Sequence, residues 1–247
     1  MLELYYDFHI HSCLSPCGSD DMTPQNIVNM AALAGYEVIA VADHNSMRNC
    51  KGVMEAAEEE GILAVPAMEL STMEEVHILC LLPDLEAANE FDKYVYTTLP
   101  DIKNRKDIFG NQIYMDGRGQ VFGEEEKLLI SATGIGIYEV YDLVKSYGGT
   151  AIPAHLDRNS FSLISNLGFY DPAMHFPAIE LTAKCDCHTF KQNHAISLPH
   201  IINSDAHSLD QIPDPERKIR LKFLSVKEVI NSIEASRHEP RILMQFM

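Results

Sequence analysis

Short apolar runs and amphipathic stretches alternate along the chain from its first residues onward. Residues 4–9 predict a first strand, and residues 38–42 are an apolar run of the kind that forms a buried strand. Residues 24–34, between them, carry apolar positions at helical spacing. Thr23 can serve as the N-cap of this helix, Pro24 suits its first position, and Gly35 can end it. The start of the chain therefore predicts a strand–helix–strand unit.

The same alternation continues to the end of the chain. It predicts helices at 49–60, 85–99, 138–147 and 226–237, and strands at 62–67, 76–82, 150–154, 178–182, 200–203 and 242–246. The strand at 76–82 begins only a few residues after the strand at 62–67 ends. This gap is too short for a helical crossover, which needs about a dozen residues. These two strands are therefore predicted to form an antiparallel hairpin.

The expected fold is α/β, because strands that alternate with helices form a mainly parallel sheet. About seven inner strands favour a distorted (β/α)7 barrel, mostly parallel with one antiparallel strand. An open doubly wound sheet is the alternative. Residues 1–247 are expected to form a single domain.

Residues 101–133 interrupt this alternation. Asp116, Gly117 and Gly119 between alternating segments predict a β-hairpin. A connection of this length in a compact domain is often a lid or a binding loop, and a surface excursion is the alternative. The basic segment 104–106 could place positive charge over a site.

Composition and charge restrict the possible partners. The hydrophobic fraction of 46% in 247 residues is sufficient for a substantial core. The formal net charge of −17 argues against broad binding to nucleic-acid backbones, although bound divalent cations would still allow anionic substrates. Apolar runs are shorter than the ~20 residues that span a bilayer, and Glu3 and Asp7 break the first one. A cytoplasmic protein without membrane contact is expected.

The six cysteines do not form the dense pattern of a disulfide-rich domain. Cys185 and Cys187 are separated by one residue, and no second pair accompanies them. A structural zinc finger is therefore not expected.

The chemically informative residues lie at the ends of predicted strands. His9 and His11 point to the same side of an extended strand because their positions differ by two. Other polar residues lie at or after later strands, where barrel active sites are built: Asp43, His44, Glu69, His155, Asp205 and His207. His77 begins its strand, and an antiparallel direction would bring it to the same end.

Eight of these side chains are candidate metal ligands: His9, His11, His44, Glu69, His77, His155, Asp205 and His207. Eight ligands are too many for one ion and suit two or three divalent ions, with Glu69 as the bridging carboxylate. Imidazole and carboxylate groups together suit zinc, manganese or iron. Metal ions a few ångströms apart can activate water and hold both oxygens of a phosphoryl displacement.

The motifs HIHS, ADHNS, AMEL, VHIL, AHLDR and SDAH closely resemble those of the PHP (polymerase and histidinol phosphatase) family over nearly the whole chain. The segment 101–133 resembles an insertion found in some members. The resemblance implies a distorted seven-stranded barrel with a trinuclear metal site at the C-terminal rim. It implies one metal held by His9, His11, Glu69 and Asp205, a second by Glu69, His77 and His155, and a third by His44 and His207.

The third site needs a further ligand from SCLSPCGSDD, the segment after His11. Cys17 lies where some members of the family have a histidine, whereas Asp20 is chemically better suited to a hard metal. Both remain candidates, with Asp20 slightly preferred. A turn role for Asp20 and a plain thiol for Cys17 are the alternatives.

Two further residues are candidates for supporting roles. Asp43 is expected to orient a ligand histidine rather than to bind metal. Arg158 could pair with a substrate phosphate as a bidentate fork or form a surface salt bridge.

The expected function is hydrolysis of a small phosphate ester, such as a nucleotide or another monoester or diester, by a metal-activated hydroxide. Asp205 or His207 would move a proton, and Arg158 would bind the phosphate. A 3′–5′ exonuclease or oligonucleotide phosphodiesterase is the nearer alternative, with short nucleic acids as substrates. An amidohydrolase ranks low because no lysine follows a strand in the manner of that class. A non-catalytic metal-binding module also ranks low, and the sequence predicts no oligomeric state.

Overall fold

The computed structural model describes residues 1–238 and a short strand at Leu243–Met244. The strands are β1 (Leu2–Ile10), β2 (Val38–His44), β3 (Leu63–Ala64), β4 (Ala67–Ser71), β5 (His77–Leu81), β6 (Ile113–Met115), β7 (Val121–Glu124), β8 (Thr150–Pro153), β9 (Ile179–Leu181), β10 (His200–Ile202), β11 (Lys218–Leu221) and β12 (Leu243–Met244). The α-helices are α1 (Pro24–Ala34), α2 (Cys50–Glu60), α3 (Leu85–Thr98), α4 (Lys106–Phe109), α5 (Val140–Ser146), α6 (Leu163–Leu167), α7 (Cys187–Asn193) and α8 (Val226–Ser236). Short 3-10 helices lie at Pro172–Met174 and Leu209–Gln211.

The main sheet has the strand order β12-β11-β1-β2-β4-β5-β8, and β3 pairs with β2. Strands β1, β2 and β4 are parallel, whereas β5 is antiparallel to both of its neighbours, β4 and β8. Strand β8 therefore runs in the same direction as β4. The sheet is mixed but mostly parallel, and it curls into a half-barrel.

Strands β9 and β10 form a separate parallel pair that connects the two sides of the half-barrel. On the β8 side, the Leu156 amide donates to the Glu180 carbonyl at 2.9 Å. On the β1 side, Ile10 forms a parallel bridge with Ala206, and the His11 amide donates to the Ala206 carbonyl at 2.9 Å. The ends of β1, β8, β9 and β10 consequently lie next to one another.

The hydrophobic core lies on both faces of the sheet. The inner face is filled by residues from several strands and from α8, including Phe8, Ala40, Leu79, Ile152 and Ile233. On the outer face, α1 and α2 cover β1 and β2, while α3 and α5 cover β4 and β5. The strand ends are thus held by packing on two sides.

Helix α1 and the β4–β5 hairpin form as the local sequence signals predicted. The Thr23 side chain accepts from the Asn26 amide, and Gly35 adopts the left-handed conformation with φ of 97°. The residues of β4 and β5 pair antiparallel from Ala67 opposite Leu81 to Ser71 opposite His77. Both predictions are confirmed.

Two strand predictions are wrong in detail. The strand expected at 62–67 is divided into β3 and β4 around Pro66, which lacks the amide proton that a central strand needs. Glu69 therefore lies inside β4 rather than after its strand. The expectation of one antiparallel strand also fails, because β11 pairs antiparallel with β1. The strand predicted at 242–246 coincides with β12 at Leu243–Met244, and its other residues lie outside the described part of the chain.

The insertion at 101–133 contains the predicted hairpin, formed by β6 and β7. It is attached closely to the rest of the fold. The Ile113 amide donates to the Cys13 carbonyl at 2.9 Å, and the Asn49 side chain bonds to Ile113 and Met115. The Asn45 amide group donates to two carbonyls near the end of the insertion.

Within the described residues, no helix is both long enough and apolar enough to span a bilayer.

Candidate metal centre

Glu69 lies at the centre of a buried cluster of histidines. Its carboxylate oxygens lie 2.8–3.4 Å from nitrogens of five imidazoles: His77 Nδ1 at 2.8 Å, His155 Nε2 at 3.0 Å, His44 Nδ1 at 3.1 Å, His11 Nε2 at 3.3 Å and His9 Nε2 at 3.4 Å. These residues come from β1 and the position just after it, from β2, β4 and β5, and from the segment after β8. The reversed direction of β5 brings His77 beside Glu69, as the hairpin predicted.

Asp205 supplies a second carboxylate next to the same histidines. Its Oδ1 atom lies 3.0 Å from His11 Nε2 and 3.5 Å from His9 Nε2. The Arg158 guanidinium lies 2.6 Å from Oδ2, and its side chain is 43% exposed. His207 Nδ1 is 2.8 Å from the Asp205 carbonyl oxygen. Asp205 therefore connects the buried cluster to two more accessible side chains.

Three groups of side chains place their ligand atoms within 4.8 Å of one another. They are His9 with His11 and Asp205, His44 with Glu69 and His77, and His11 with Cys17, His44 and His207. The structure thus brings together the histidines and carboxylates that the sequence singled out. His155 joins them through its contact with Glu69.

The donor set fits divalent metal ions. The buried atoms His9 Nε2 and His44 Nδ1 have no hydrogen-bond partner among the described residues. Buried polar atoms are almost always paired, so unpaired imidazole nitrogens that face carboxylates have the position expected of metal ligands. Imidazole and carboxylate donors together suit zinc, manganese or iron.

The electrostatics of the cluster favour bound cations. Burial by itself would raise the pKa of Glu69, but its interactions with the imidazoles of His77, His9 and His44 hold that pKa well below its ordinary value. Burial likewise opposes ionisation of Asp205, yet His9 and His11 lower its pKa. Burial also lowers the pKa of His44 well below its usual value, which favours the neutral imidazole that binds metal. Two anionic carboxylates and a neutral imidazole are a ligand set for cations.

Glu180 orients His9 from outside the cluster. Its carboxylate lies 3.0 and 3.1 Å from His9 Nδ1 and also accepts from Asn203 Nδ2 at 2.8 Å. With Nδ1 bound to a carboxylate, the other ring nitrogen of His9 is left facing Glu69 and Asp205. Neither Glu180 nor Asn203 was singled out in the sequence. The available signal was a lone acidic residue within the apolar run of a predicted strand.

Asp43 acts on His11 through Ser15. The Ser15 hydroxyl donates to Asp43 Oδ1 at 2.7 Å and lies 2.9 Å from His11 Nδ1. Since the hydroxyl proton points to Asp43, the serine oxygen accepts from His11 Nδ1–H, and Nε2 keeps its lone pair for the cluster. Asp43 also accepts from the hydroxyl of Ser12 at 2.6 Å. This arrangement agrees with the orienting role predicted for Asp43.

Two residues of the cluster have left-handed backbone conformations, which residues other than glycine rarely adopt. His155 has φ of 31° and Asp205 has φ of 51°. Such conformations cost about 1–3 kcal/mol and persist where the surrounding structure imposes them. The turns after β8 and β10 are therefore held in positions that local preference does not favour.

Cys17 and Asp20, the two candidates for the remaining ligand of the third metal site, lie in different surroundings. Cys17 belongs to the group with His11, His44 and His207. Asp20 is exposed, and both of its carboxylate oxygens accept from Asn111 Nδ2, at 3.0 and 2.9 Å. The three ligand groups among the described residues do not include Asp20.

The basic segment of the insertion is paired locally. The Arg105 side chain lies 2.8 Å from Asp107, and Lys106 forms an ion pair with Glu124. The Asn104 side chain donates to the Gly110 carbonyl. The positive charge expected over the site is therefore neutralised within the insertion.

A cavity of about 500 Å³ adjoins the cluster. Its lining includes His155, Arg158, Glu180, Lys184, Asp205 and Arg217. Arg158 thus contacts both Asp205 and this cavity.

Comparison with known proteins shows that this chain resembles several solved structures in its fold. No family model matches the sequence. An uncharacterized protein of Methanocaldococcus jannaschii is 27% identical over 163 residues, which is 66% of this chain and 18% of that protein. The chain thus spans about a fifth of the length of this relative.

Three solved structures align with nearly the whole chain. A lesion-specific endonuclease from Pyrococcus furiosus, EndoQ, has a TM-score of 0.63 at 20% identity, covering 95% of this chain and 56% of that one. An amidohydrolase from Chromobacterium violaceum has a TM-score of 0.59 at 19% identity, covering 94% and 96%. A two-domain protein from Bacteroides vulgatus with a predicted PHP-like metal-dependent phosphoesterase has a TM-score of 0.57 at 17% identity, covering 96% and 63%. The chain therefore shares its fold with these proteins, one of which contains a predicted PHP-like metal-dependent phosphoesterase.

Proposed function

We propose that this protein is a metal-dependent phosphoesterase that hydrolyses a small phosphate ester. The observation that carries the proposal is the convergence of five imidazoles on Glu69, with Asp205 beside them. Neighbours of the same fold are named as a phosphoesterase, an endonuclease and an amidohydrolase, which are all hydrolases. Likeness of fold alone does not define a reaction, so the argument depends on the cluster.

The proposed centre lies at the rim of a seven-stranded barrel within one domain. Strands β1, β2, β4, β5 and β8 form one side, and β9 and β10 complete it through the hydrogen bonds at Leu156 and His11. Two or three divalent ions would be held there. We assign one to His9, His11, Glu69 and Asp205, and a second to Glu69, His77 and His155. His44 and His207 would hold a third.

The chemistry divides between the metal ions and the side chains. Bound divalent ions would activate water and neutralise the phosphoryl oxygens. Arg158, which is partly exposed beside Asp205, would bind a phosphate oxygen and set the orientation of the ester. His207 Nδ1 lies 2.8 Å from the Asp205 carbonyl oxygen, so Nε2 keeps its lone pair, which suits a metal ligand rather than the proton donor that the sequence suggested.

The cavity next to Arg158 favours a small substrate. Its volume of about 500 Å³ lies within the range of pockets that enclose small molecules. The net charge of −17 disfavours a long nucleic-acid track. A nucleotide or another small monoester or diester fits both observations.

Cleavage of nucleic acid is the second candidate. One observation favours it: a structure of Endonuclease Q with a 27-mer duplex that carries an abasic lesion aligns with 95% of this chain, with a TM-score of 0.64. That alignment covers 57% of the endonuclease chain. The part of the endonuclease outside the alignment has no counterpart in the 247 residues of this chain. Any contacts with a duplex that this part makes would therefore be missing here.

The test is a hydrolysis screen of the purified protein loaded separately with manganese, zinc or ferrous iron. The panel contains phosphate monoesters, phosphate diesters, oligonucleotides, duplexes with and without abasic lesions, and amides. We expect metal-dependent release of phosphate or alcohol from a small ester, reduced at least ~100-fold by Glu69→Gln. Glu59→Gln, an exposed position on α2, is the matched control and should retain full activity.

Each remaining outcome has a definite meaning. Preference for a lesion-containing duplex would replace the small-ester proposal with the nuclease. Preference for an amide would assign the protein to C–N hydrolysis. Metal-replete, folded protein that cleaves nothing in the panel would indicate a non-catalytic metal-binding module.

A further inference from the structure

We infer that Cys17 is a thiolate ligand of the third metal ion, and that this ion is a soft metal such as zinc or ferrous iron. The inference deepens the proposed function, because it concerns one ion of the same centre. It departs from the sequence-based preference for Asp20. The result would be a centre with one sulfur-containing site beside two sites that use nitrogen and oxygen.

The geometry of the third group is the first support. The ligand atoms of His11, Cys17, His44 and His207 all lie within 4.8 Å of one another. The ring of His11 lies 4.2 Å from that of His207 and 4.7 Å from that of His44, measured between centroids. Four donors from three different segments therefore face one small volume.

Cys17 completes this group because one of its histidines is assigned to another ion. His11 also belongs to the group with Asp205, and its lone pair is assigned to the first ion. One imidazole lone pair serves one ion. Among the described residues, Cys17 and His207 are the members that belong to this group alone. With His44 and His207 assigned to the third ion, the thiolate supplies its third ligand.

The loop that carries Cys17 is fixed against the opposite side of the site. The Ser19 amide donates to the His207 carbonyl at 2.9 Å, which ties the loop to the other exclusive ligand. The Gly18 amide donates to the Ser15 carbonyl at 2.9 Å. A Cβ atom at Gly18 would lie 2.4 Å from the Ser12 carbonyl oxygen, so the loop has no room to expand there. Cys17 is thus held between two fixed neighbours.

The insertion holds Asp20 away from this role. Both Asp20 oxygens accept from Asn111 Nδ2. The insertion also approaches the loop at Gly110, where a Cβ atom would lie 2.4 Å from the Pro16 carbonyl oxygen. Asp20 therefore anchors the loop to the insertion, and Cys17 is left to face the histidines.

Ligand chemistry determines the class of metal. Thiolate and imidazole donors favour zinc and other soft or borderline ions over manganese and magnesium, which prefer oxygen. Cys17 is exposed and His207 is partly exposed, so this ion lies at the accessible side of the centre. An ion held by few protein ligands keeps a position for water or substrate.

Cobalt substitution tests the inference on the full chain. We expect the cobalt-loaded protein to show the near-ultraviolet charge-transfer band of a cobalt–thiolate bond. Cys17→Ser should remove this band and about one metal ion per chain by elemental analysis. Cys17→His should regain the ion without the band. Cys185→Ser, at another partly accessible cysteine, is the matched control and should keep both.

Alkylation provides a second measurement that does not depend on the variants. Zinc should protect Cys17 from iodoacetamide, as followed by peptide mass spectrometry, whereas Cys185 and Cys187 should react equally with and without zinc. Cobalt-loaded protein without the band, or Cys17→Ser with unchanged band and metal content, would overturn the inference. Hydrolysis without the band contradicts this inference alone, and the band without hydrolysis contradicts the proposed function alone.

Discussion

At the scale of single residues, Glu180 has a role that its position in an apolar strand conceals. It holds His9 Nδ1 and is itself held by Asn203. We expect Glu180→Gln to weaken metal binding by about 10–100-fold, because the side chain that fixes a ligand imidazole also increases its basicity. Metal affinity, measured by competition with a chelating dye, tests this expectation.

Glu59→Gln is the control for the Glu180 variant, since that position is exposed on α2. Circular dichroism would verify that both variants are folded. Equal metal affinity in the two variants would show that Glu180 has no part in positioning His9.

Some residues of the candidate site could be predicted from the sequence, and others could not. His9, His11, Glu69 and His77 could be singled out because spacing and strand direction determine where they point. The choice between Cys17 and Asp20 could not be made, because it depends on Asn111, which lies 91 residues from Asp20 along the chain. Glu180 was missed because an acidic residue within a strand has no local signature of its partner.

At the scale of elements, the insertion is hydrogen-bonded to the rest of the fold. Asn49 at the start of α2 connects it to the ligand-bearing segment: its amide donates to Ser12 at 3.0 Å and to Ile113 at 3.1 Å, and its carbonyl accepts from Met115. This buried side chain has 0% relative exposure. These contacts attach the hairpin of the insertion to the segment that carries His11.

We expect Asn49→Ala to lower the free energy of unfolding by about 1–3 kcal/mol, because it leaves buried backbone groups without partners. Urea denaturation measures this change. Asn89→Ala, at an exposed position on α3, should change stability little. A stability loss for Asn49→Ala no larger than that of the control would show that the insertion is only loosely attached.

Elements with strong local signals were predictable, and those without them were not. Helix α1 has an N-cap and a glycine stop, so its limits could be read directly. Strand β11 has only four residues, and its pairing partner β1 lies at the other end of the chain. The division between β3 and β4 follows from Pro66, a single residue within an otherwise continuous apolar run.

At the scale of the whole molecule, binding of the proposed metal ions would be linked to stability. Glu69 and Asp205 are buried together near His9 and His11 in a protein of net charge −17. We expect removal of metal by a chelator to lower the melting temperature, because ions that bind only the folded state stabilise it. An ion present at about 1,000 times its dissociation constant contributes about 4 kcal/mol.

Differential scanning fluorimetry with a chelator, followed by addition of zinc or manganese, tests this expectation. The melting temperature should fall and then recover. His188→Ala, on the exposed helix α7, is a suitable control and should respond as the wild type does. A melting temperature that is the same with and without metal would contradict the linkage.

The whole-molecule architecture was predictable as a class, because alternating strands and helices define an α/β fold. The separation of β9 and β10 from the main sheet was not predictable, since local pattern does not report which strands pair.

The reversed strand β5 also bears on how the chain assembles during synthesis. Glu69 and His77 are eight residues apart, so formation of one hairpin brings them together. His11 and Asp205 are separated by 194 residues and meet only when nearly the whole chain is available. In a nascent chain, the proposed ligands Glu69 and His77 would therefore meet early, whereas His11 and Asp205 would meet only near the end of synthesis. The order of the strands along the chain thus sets the order in which the parts of the proposed centre come together.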